Sequence, residues 1–123
     1  MFIYVSGPLS NGDVEANVKE AMRVGGILME KGFFPFVPHL NHYIEPMVTL
    51  GYEDWMRYDL AWLRKCNALI RLPGESPGGD REVALATQLW IPVFYGLDEF
   101  LGAPLDLGLP TPANQRFSLP VVK

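Results

Sequence analysis

Apolar positions along this chain fall in short β-rich runs and in longer stretches with helical spacing, and the changes from one to the other mark strands alternating with helices. "FIYVS" (2–6) is a β-rich apolar run closed by Gly7-Pro8, which predicts a buried strand and a turn. From Val14 to Lys31 the apolar or small residues Val14, Val18, Ala21, Met22, Gly25, Leu28 and Met29 recur at three- and four-residue spacing. That is one face of an amphipathic helix, with Asp13 as its N-cap and Gly32 as its stop. "FFPFV" (33–37) is a second strand, and Pro35 within it predicts an edge position because proline has no N–H for the ladder. Residues 38–52 show no period and read as a long loop. A helix is expected over 53–65, with Trp55, Trp62 and Leu63 on roughly one side. "NALIRL" (67–72) is a third strand, "PGESPGG" a loop, 80–90 a third helix and "IPVFY" (91–95) a fourth strand.

Strands alternating with helices imply βαβ crossovers and a mostly parallel, open α/β sheet. One α/β domain is expected over 1–102, followed by a Pro/Gly-rich tail over 103–123 in which only "FSLPVV" looks orderable. No internal repeat is present. In open α/β sheets ligands sit beyond the carboxyl ends of the strands, at the point where the strand order reverses. Three segments fall there: "SGPLSNGD", "PHLNHY" and "PGESPGGDRE". Any site should be built from these.

At 123 residues the chain is long enough for one core and too short for two. With 49% apolar residues it is globular, and a net charge of -4 offers no basic patch for a nucleic acid polymer. It does not exclude one phosphate held by backbone N–H groups. A single cysteine, Cys66, precludes an internal disulfide and suits a reducing compartment, so a cytoplasmic location is expected, with Cys66 as a buried structural thiol. No apolar run approaches ~20 residues and Met1 leads straight into a strand, so neither membrane span nor signal peptide is expected.

The segment "SPGGDREVALAT" (76–87) is chemically the most informative. Gly78 and Gly79 let backbone approach a ligand and leave N–H groups at a helix N-terminus. Glu82 shares a helix face with Leu85, Ala86 and Leu89, so it points to the apolar side. Such a carboxylate, poorly solvated yet favoured by the helix dipole, is either a nucleophile or a simple dipole partner worth ~0.3–1 kcal/mol. Asp59 lies four residues from both Trp55 and Leu63, again a carboxylate on an apolar helix face. Burying it unpaired is costly, so it has either an arginine partner or a functional role. His39 and His42 form H-x-x-H without a third ligand in reach, so no metal is expected; His39 is placed in a pocket wall and His42 at the surface. Tyr4, mid-strand, is either plain core or a phenol reaching a carboxylate near the sheet centre. Trp55 either stacks on a base or packs in the core.

"IYVSGPLS", "YDLAWLRKCNALIRL" and "SPGGDREVALATQLWIPV", in that order over residues 2–95, resemble the nucleoside 2-deoxyribosyltransferase superfamily. More narrowly they resemble its small bacterial and phage members and the deoxynucleoside monophosphate N-glycosidases. The resemblance implies a flavodoxin-like (Rossmann-like) parallel sheet of four to five strands in three αβα layers. It implies cleavage of the bond between a nucleobase and C1′ of the sugar, without a cofactor. Glu82, four residues after Gly78, matches the nucleophile that forms a glycosyl ester, later resolved by water or a second base. Tyr4 matches the tyrosine that holds the nucleophile, and Asp59 the aspartate that assists proton transfer.

In monophosphate-cleaving members a serine six residues before the nucleophile and the intervening glycine bind the 5′-phosphate; here these are Ser76 and Gly78. Gly7, Ser10, Gly79, His39 and Trp55 complete the expected binding set. The first loop carries Ser10 where those members carry arginine, so phosphate charge would rest on Ser10, Ser76 and backbone amides, or on Arg81. "PGG…E" also resembles, in part, phosphoribohydrolases that release cytokinin-type bases. The implied partner is a small nucleotide or nucleoside, with a homodimer or higher homo-oligomer as the expected assembly. A non-catalytic nucleotide sensor on the same fold is the alternative reading. Tyr4, Asp59 and Glu82 together favour catalysis, because a sensor has no use for a nucleophile.

Overall fold

A computed structural model describes residues 1–104, so all but the first two residues of the expected tail, "FSLPVV" included, lie outside the described residues. Four parallel strands, β1 (Phe2–Ser6), β2 (Phe34–Phe36), β3 (Ala68–Arg71) and β4 (Val93–Tyr95), form one sheet in the order β2-β1-β3-β4. Pro35 sits on the edge strand, paired with Ile3, as its missing donor requires. The helices are α1 (Val14–Glu30), α2 (Tyr52–Leu63), α3 (Pro77–Gln88) and the short α4 (Leu97–Leu101). The chain leaves β1 toward β2 on one side and returns to β3 on the other, so the switch point lies between β1 and β3.

Strand alternation assigns the two faces. Ile3 and Val5 of β1 and Ala68 and Ile70 of β3 pack with Ala21, Val24 and Leu28 of α1. Phe100 of α4 closes this layer, edge-to-face against Phe33 and Phe94 at 5.2 Å each. On the opposite face Tyr4 and Leu69 pack with Leu63 of α2 and Ala86 of α3. The result is the expected three-layer αβα arrangement. Asp13 caps α1 through its side chain, accepting from the Ala16 N–H at 3.2 Å. Cys66 is buried, and burial pushes its thiol up to about 11, consistent with an inert structural role.

Three local expectations change. Segment 38–52 is not plain loop: it contains 3-10 turns over Pro38–Tyr43 and Glu45–Met47, each with a proline in its opening turn. Trp62 does not join Leu63 in the core; it is half exposed and stacks on Phe36 at 5.2 Å. Most consequential, α3 begins at Pro77 rather than at residue 80. Ser76 is its N-cap, accepting from the Gly79 N–H at 2.9 Å, and proline at the first helical position lacks an N–H that would otherwise go unpaired. The two glycines therefore form the helix's first turn, and Glu82 lies on its second.

The other end of α3 stores strain. Trp90 adopts φ 61° in the left-handed region while its side chain is 91% exposed. The turn is held by the Ile91 N–H donating to the Ala86 carbonyl at 2.8 Å. A non-glycine residue there costs about 1 kcal/mol, and no buried contact offsets it. Trp90→Gly is therefore expected to stabilise the fold by about 1 kcal/mol, read as a higher urea midpoint at unchanged slope.

Candidate functional site

The carboxyl ends of β1 and β3 open into a cavity of about 620 Å³, within the ~300–1,000 Å³ typical of small-molecule sites. Its walls come from the loop after β1, the 3-10 segment after β2, α2, and the first two turns of α3. Glu82 lies at the base, 5% exposed. The Tyr4 phenol donates to its Oε2 at 2.6 Å and the Ser6 hydroxyl to its Oε1 at 2.7 Å. One donor on each oxygen fixes the plane of the carboxylate and satisfies a charge that burial would otherwise leave exposed to a low dielectric. Burial pushes the Glu82 carboxyl above its ordinary range, opposed by the two hydroxyls and by the charge of Arg71. Tyr4 itself is held well above its ordinary value, by burial first and then by the Glu82 and Asp59 carboxylates. It stays a neutral donor. Its place is behind Glu82, with no exposed surface.

Asp59 faces the same cavity from α2. Its partner is not arginine: the Asn41 side-chain amide donates to Oδ1 at 2.8 Å. Burial and then the Glu82 charge raise its carboxyl from 3.8 to about 7, while Asn41 pulls it down. The two carboxyls thus have different environments. Glu82 receives two hydroxyl donors and the charge of Arg71, all favouring its ionised form against the effect of burial, whereas Asp59 receives one amide and is pushed up to about 7.

The expected binding residues Gly7, Ser10, His39, Trp55, Ser76, Gly78 and Gly79 all line the cavity. Ser76 is buried and anchored as the α3 cap, its own proton still available to a ligand. Gly78 faces inward: a Cβ there would meet Met56 Sδ at 3.4 Å and the Tyr52 hydroxyl at 3.5 Å. Gly79 differs from expectation, because its N–H is already engaged by Ser76 Oγ and so is no free donor. Its missing side chain instead makes room for Arg71, since a Cβ would fall 2.9 Å from Nε. Gly7 lacks a side chain for a similar reason: a Cβ would lie 2.8 Å from that of Leu72, so the ends of β1 and β3 meet only over glycine.

His39 is 2% exposed. The Gly7 and Pro8 carbonyls lie near enough to pull its pKa up, yet neither ring nitrogen meets hydrogen-bond geometry, and burial dominates to keep it neutral. The Trp55 indole N–H is also buried without a partner, and the ring packs edge-to-face on Tyr58 at 6.0 Å. Neither is satisfied core; both are polar groups in a cavity wall. His42 is not confined to the surface: it lines the cavity, 4.0 Å from Glu15. Arg81 brings no charge to the site, being held outward by both oxygens of Glu53 at 2.6 and 3.0 Å.

Residues 1–96 match a family described as a domain of unknown function (DUF7768). The chain belongs to the DUF7768 family. No curated protein matches it. Among solved structures it is similar to a 2-deoxyribosyltransferase from the psychrotolerant bacterium Bacillus psychrosaccharolyticus, with 18% identity and a TM-score of 0.63 over 91% of this chain and 98% of that one. It is also similar to a 2-deoxyribosyltransferase from Leishmania mexicana, with 21% identity and a TM-score of 0.54 over 75% and 61%. This DUF7768 chain therefore has the α/β fold of those enzymes.

Three residues of this DUF7768 site were not singled out from the sequence. Ser6 follows Tyr4 by two positions, and strand alternation alone places both hydroxyls on one face. Asn41 sits in a segment without period, so nothing local marks it as the partner of Asp59. Arg71 is the charged residue in an otherwise apolar strand, a buried cation whose presence was legible in "ALIR". Among the described residues no group of three His, Cys, Asp or Glu could hold a metal ion, and no helix is long and apolar enough to cross a membrane.

Proposed function

We propose that this DUF7768 domain cleaves the N-glycosidic bond of a nucleotide or nucleoside through a covalent ester on Glu82. The observation that carries this reading is a buried carboxylate held by two hydroxyls at the base of a cavity that a second, differently tuned carboxyl also faces. The similarity in fold to 2-deoxyribosyltransferases supports the same class of bond.

In the first step a Glu82 oxygen attacks C1′ as the C1′–N bond breaks. The electron pair of that bond leaves with the base, which takes a proton from Asp59. The carboxylate beneath C1′ also stabilises the positive charge that develops on the sugar. In the second step water attacks C1′ and gives a proton to the Asp59 carboxylate, the C1′–O bond to Glu82 breaks, and both side chains return to their starting states. A second base in place of water makes the same machinery a transferase. Tyr4 and Ser6 keep Glu82 in line. Trp55 Nε1 and His39 supply unpaired polar atoms for the ligand. The Ser76 hydroxyl and the Gly78 N–H, at the positive end of α3, are the donors we assign to a 5′-phosphate, which makes a 2′-deoxynucleoside 5′-monophosphate the favoured substrate. A domain over 1–102, a reducing cytoplasm and a homodimer are the setting we infer.

The test is to incubate the full chain with a panel of nucleoside and 2′-deoxynucleoside monophosphates and the matching free nucleosides, with and without an acceptor base. Released base, separated by chromatography, is the expected result, with monophosphates preferred. A panel that binds without releasing base turns the reading to a sensor.

A further inference from the structure

Arg71 ends β3 as a buried cation, 9% exposed, and no step above uses it. It pairs in register with Ser6, whose hydroxyl holds Glu82. Its guanidinium donates to the Leu72 carbonyl, to the Gly74 carbonyl at 2.9 Å and to Asp80 Oδ1 at 3.3 Å. These contacts tie the end of β3 and the following loop to the first turn of α3. The guanidinium lies directly beneath that turn, because the space a Gly79 Cβ would fill is 2.9 Å from Nε, 3.1 Å from Cζ and 3.0 Å from Ser76 Oγ.

The charge there is incompletely neutralised. Its carboxylate partner, Asp80, has a 76% exposed side chain and a long contact, and water screens such a pair. The groups facing Glu82 are the Tyr4 and Ser6 hydroxyls from β1, the Asp59 carboxyl from α2 and neutral His39 from the segment after β2; the charge of Arg71 reaches it from behind, where Arg71 lines a separate hollow with Leu72, Gly74 and Asp80. Among these described residues Arg71 is the one cation.

We propose that Arg71 is a positioning residue for Glu82: from beneath the first turn of α3 it fixes the turn that presents Glu82 to the cavity and sets a positive charge behind the carboxylate that Ser6 holds. Asp80 is the counterweight, drawing part of the guanidinium's charge outward. The proposal deepens the reading of Glu82 as nucleophile, yet its decisive measurement requires no substrate.

That measurement is a ¹³C NMR titration of the Glu82 carboxyl carbon in the full chain, assigned with Glu82→Gln. Arg71→Met is expected to raise the Glu82 midpoint by roughly one pH unit, while Arg71→Lys restores most of the difference. Asp80→Asn, at an exposed position, is expected to lower it by a smaller amount. Opposite movements in Arg71→Met and Asp80→Asn support the proposal; no movement, or movement in one direction, overturns it. If Arg71→Met does not fold, Asp80→Asn decides alone, a downward shift supporting and an unchanged midpoint overturning. Where base release is measurable, the acid limb of kcat/KM should follow the same shifts, which a purely structural role for Arg71 would not produce. Titrations that shift as expected without base release from any substrate would retire the catalytic reading and leave the electrostatic one standing.

Discussion

Glu82→Gln is expected to reduce base release by at least about a thousandfold, roughly 4 kcal/mol of transition-state stabilisation, with the fold retained. Glutamine has nearly the same shape, and the Tyr4 and Ser6 hydroxyls that donate to the two carboxylate oxygens can rotate to suit an amide. In the proposed mechanism, what disappears is the negative charge beneath C1′ and the oxygen that forms the ester. The loss should therefore fall on kcat, with substrate affinity changed little. Stability should move the other way. Burial holds the Glu82 carboxyl above its ordinary range, so the ionised form weighs against the folded state at neutral pH, and removing it should raise the melting temperature. Chromatography of released base, with a thermal melt on the same sample, checks both halves. Activity within tenfold of the wild type would show that Glu82 is not the nucleophile.

Asp59→Asn is expected to lower the rate by about 10²–10⁴-fold and to remove the alkaline limb of the pH profile. In the wild type the rate should rise as Glu82 ionises and fall as Asp59 loses its proton near pH 7. The same shift makes a stability prediction. The Asp59 carboxyl moves from 3.8 to about 7 on folding, so the folded state holds the proton more tightly than the unfolded chain. Stability is therefore lost as pH rises from about 4 through about 7, because the chain must then bury a charge satisfied by a single amide from Asn41. The asparagine variant lacks that decline and should be more stable than the wild type at pH 8 by roughly 2–4 kcal/mol. Urea titrations at pH 4.5 and pH 8 read the difference directly. A variant that is less stable at both pH values would mean that Asp59 holds the fold together rather than straining it.

Such a trade, activity lost while stability is gained, is the expected behaviour of carboxyls buried for chemistry rather than for packing. It also separates them from Trp90, whose strain lies on an exposed turn away from the cavity and serves neither purpose.

Much of this was written locally. The short apolar runs at 2–6 and 67–72 and the helical face from Val14 define an alternating α/β chain, and Pro35 marks the sheet edge, because strands covered on both faces are apolar throughout, a helix covered on one face keeps a stripe, and a missing N–H forbids a central place. Glu82 and Asp59 stood out as carboxylates on apolar faces, the kind of local conflict that marks a site. The start of α3 was also present, in the Ser-Pro pair of a capped helix, although the glycines obscured it.

Tertiary structure decided who meets whom. Tyr4 and Ser6 stand 78 and 76 residues from Glu82, and Asn41 stands 18 from Asp59; no local pattern encodes such pairings. The sequence offered Arg81 as a possible source of charge and did not single out Arg71. Packing turned the first outward to Glu53 and buried the second under the turn where Gly79 leaves space. The reason is physical: periodicity records which face of an element is buried, whereas the partner of a buried polar group is fixed only when distant strands and helices close around it.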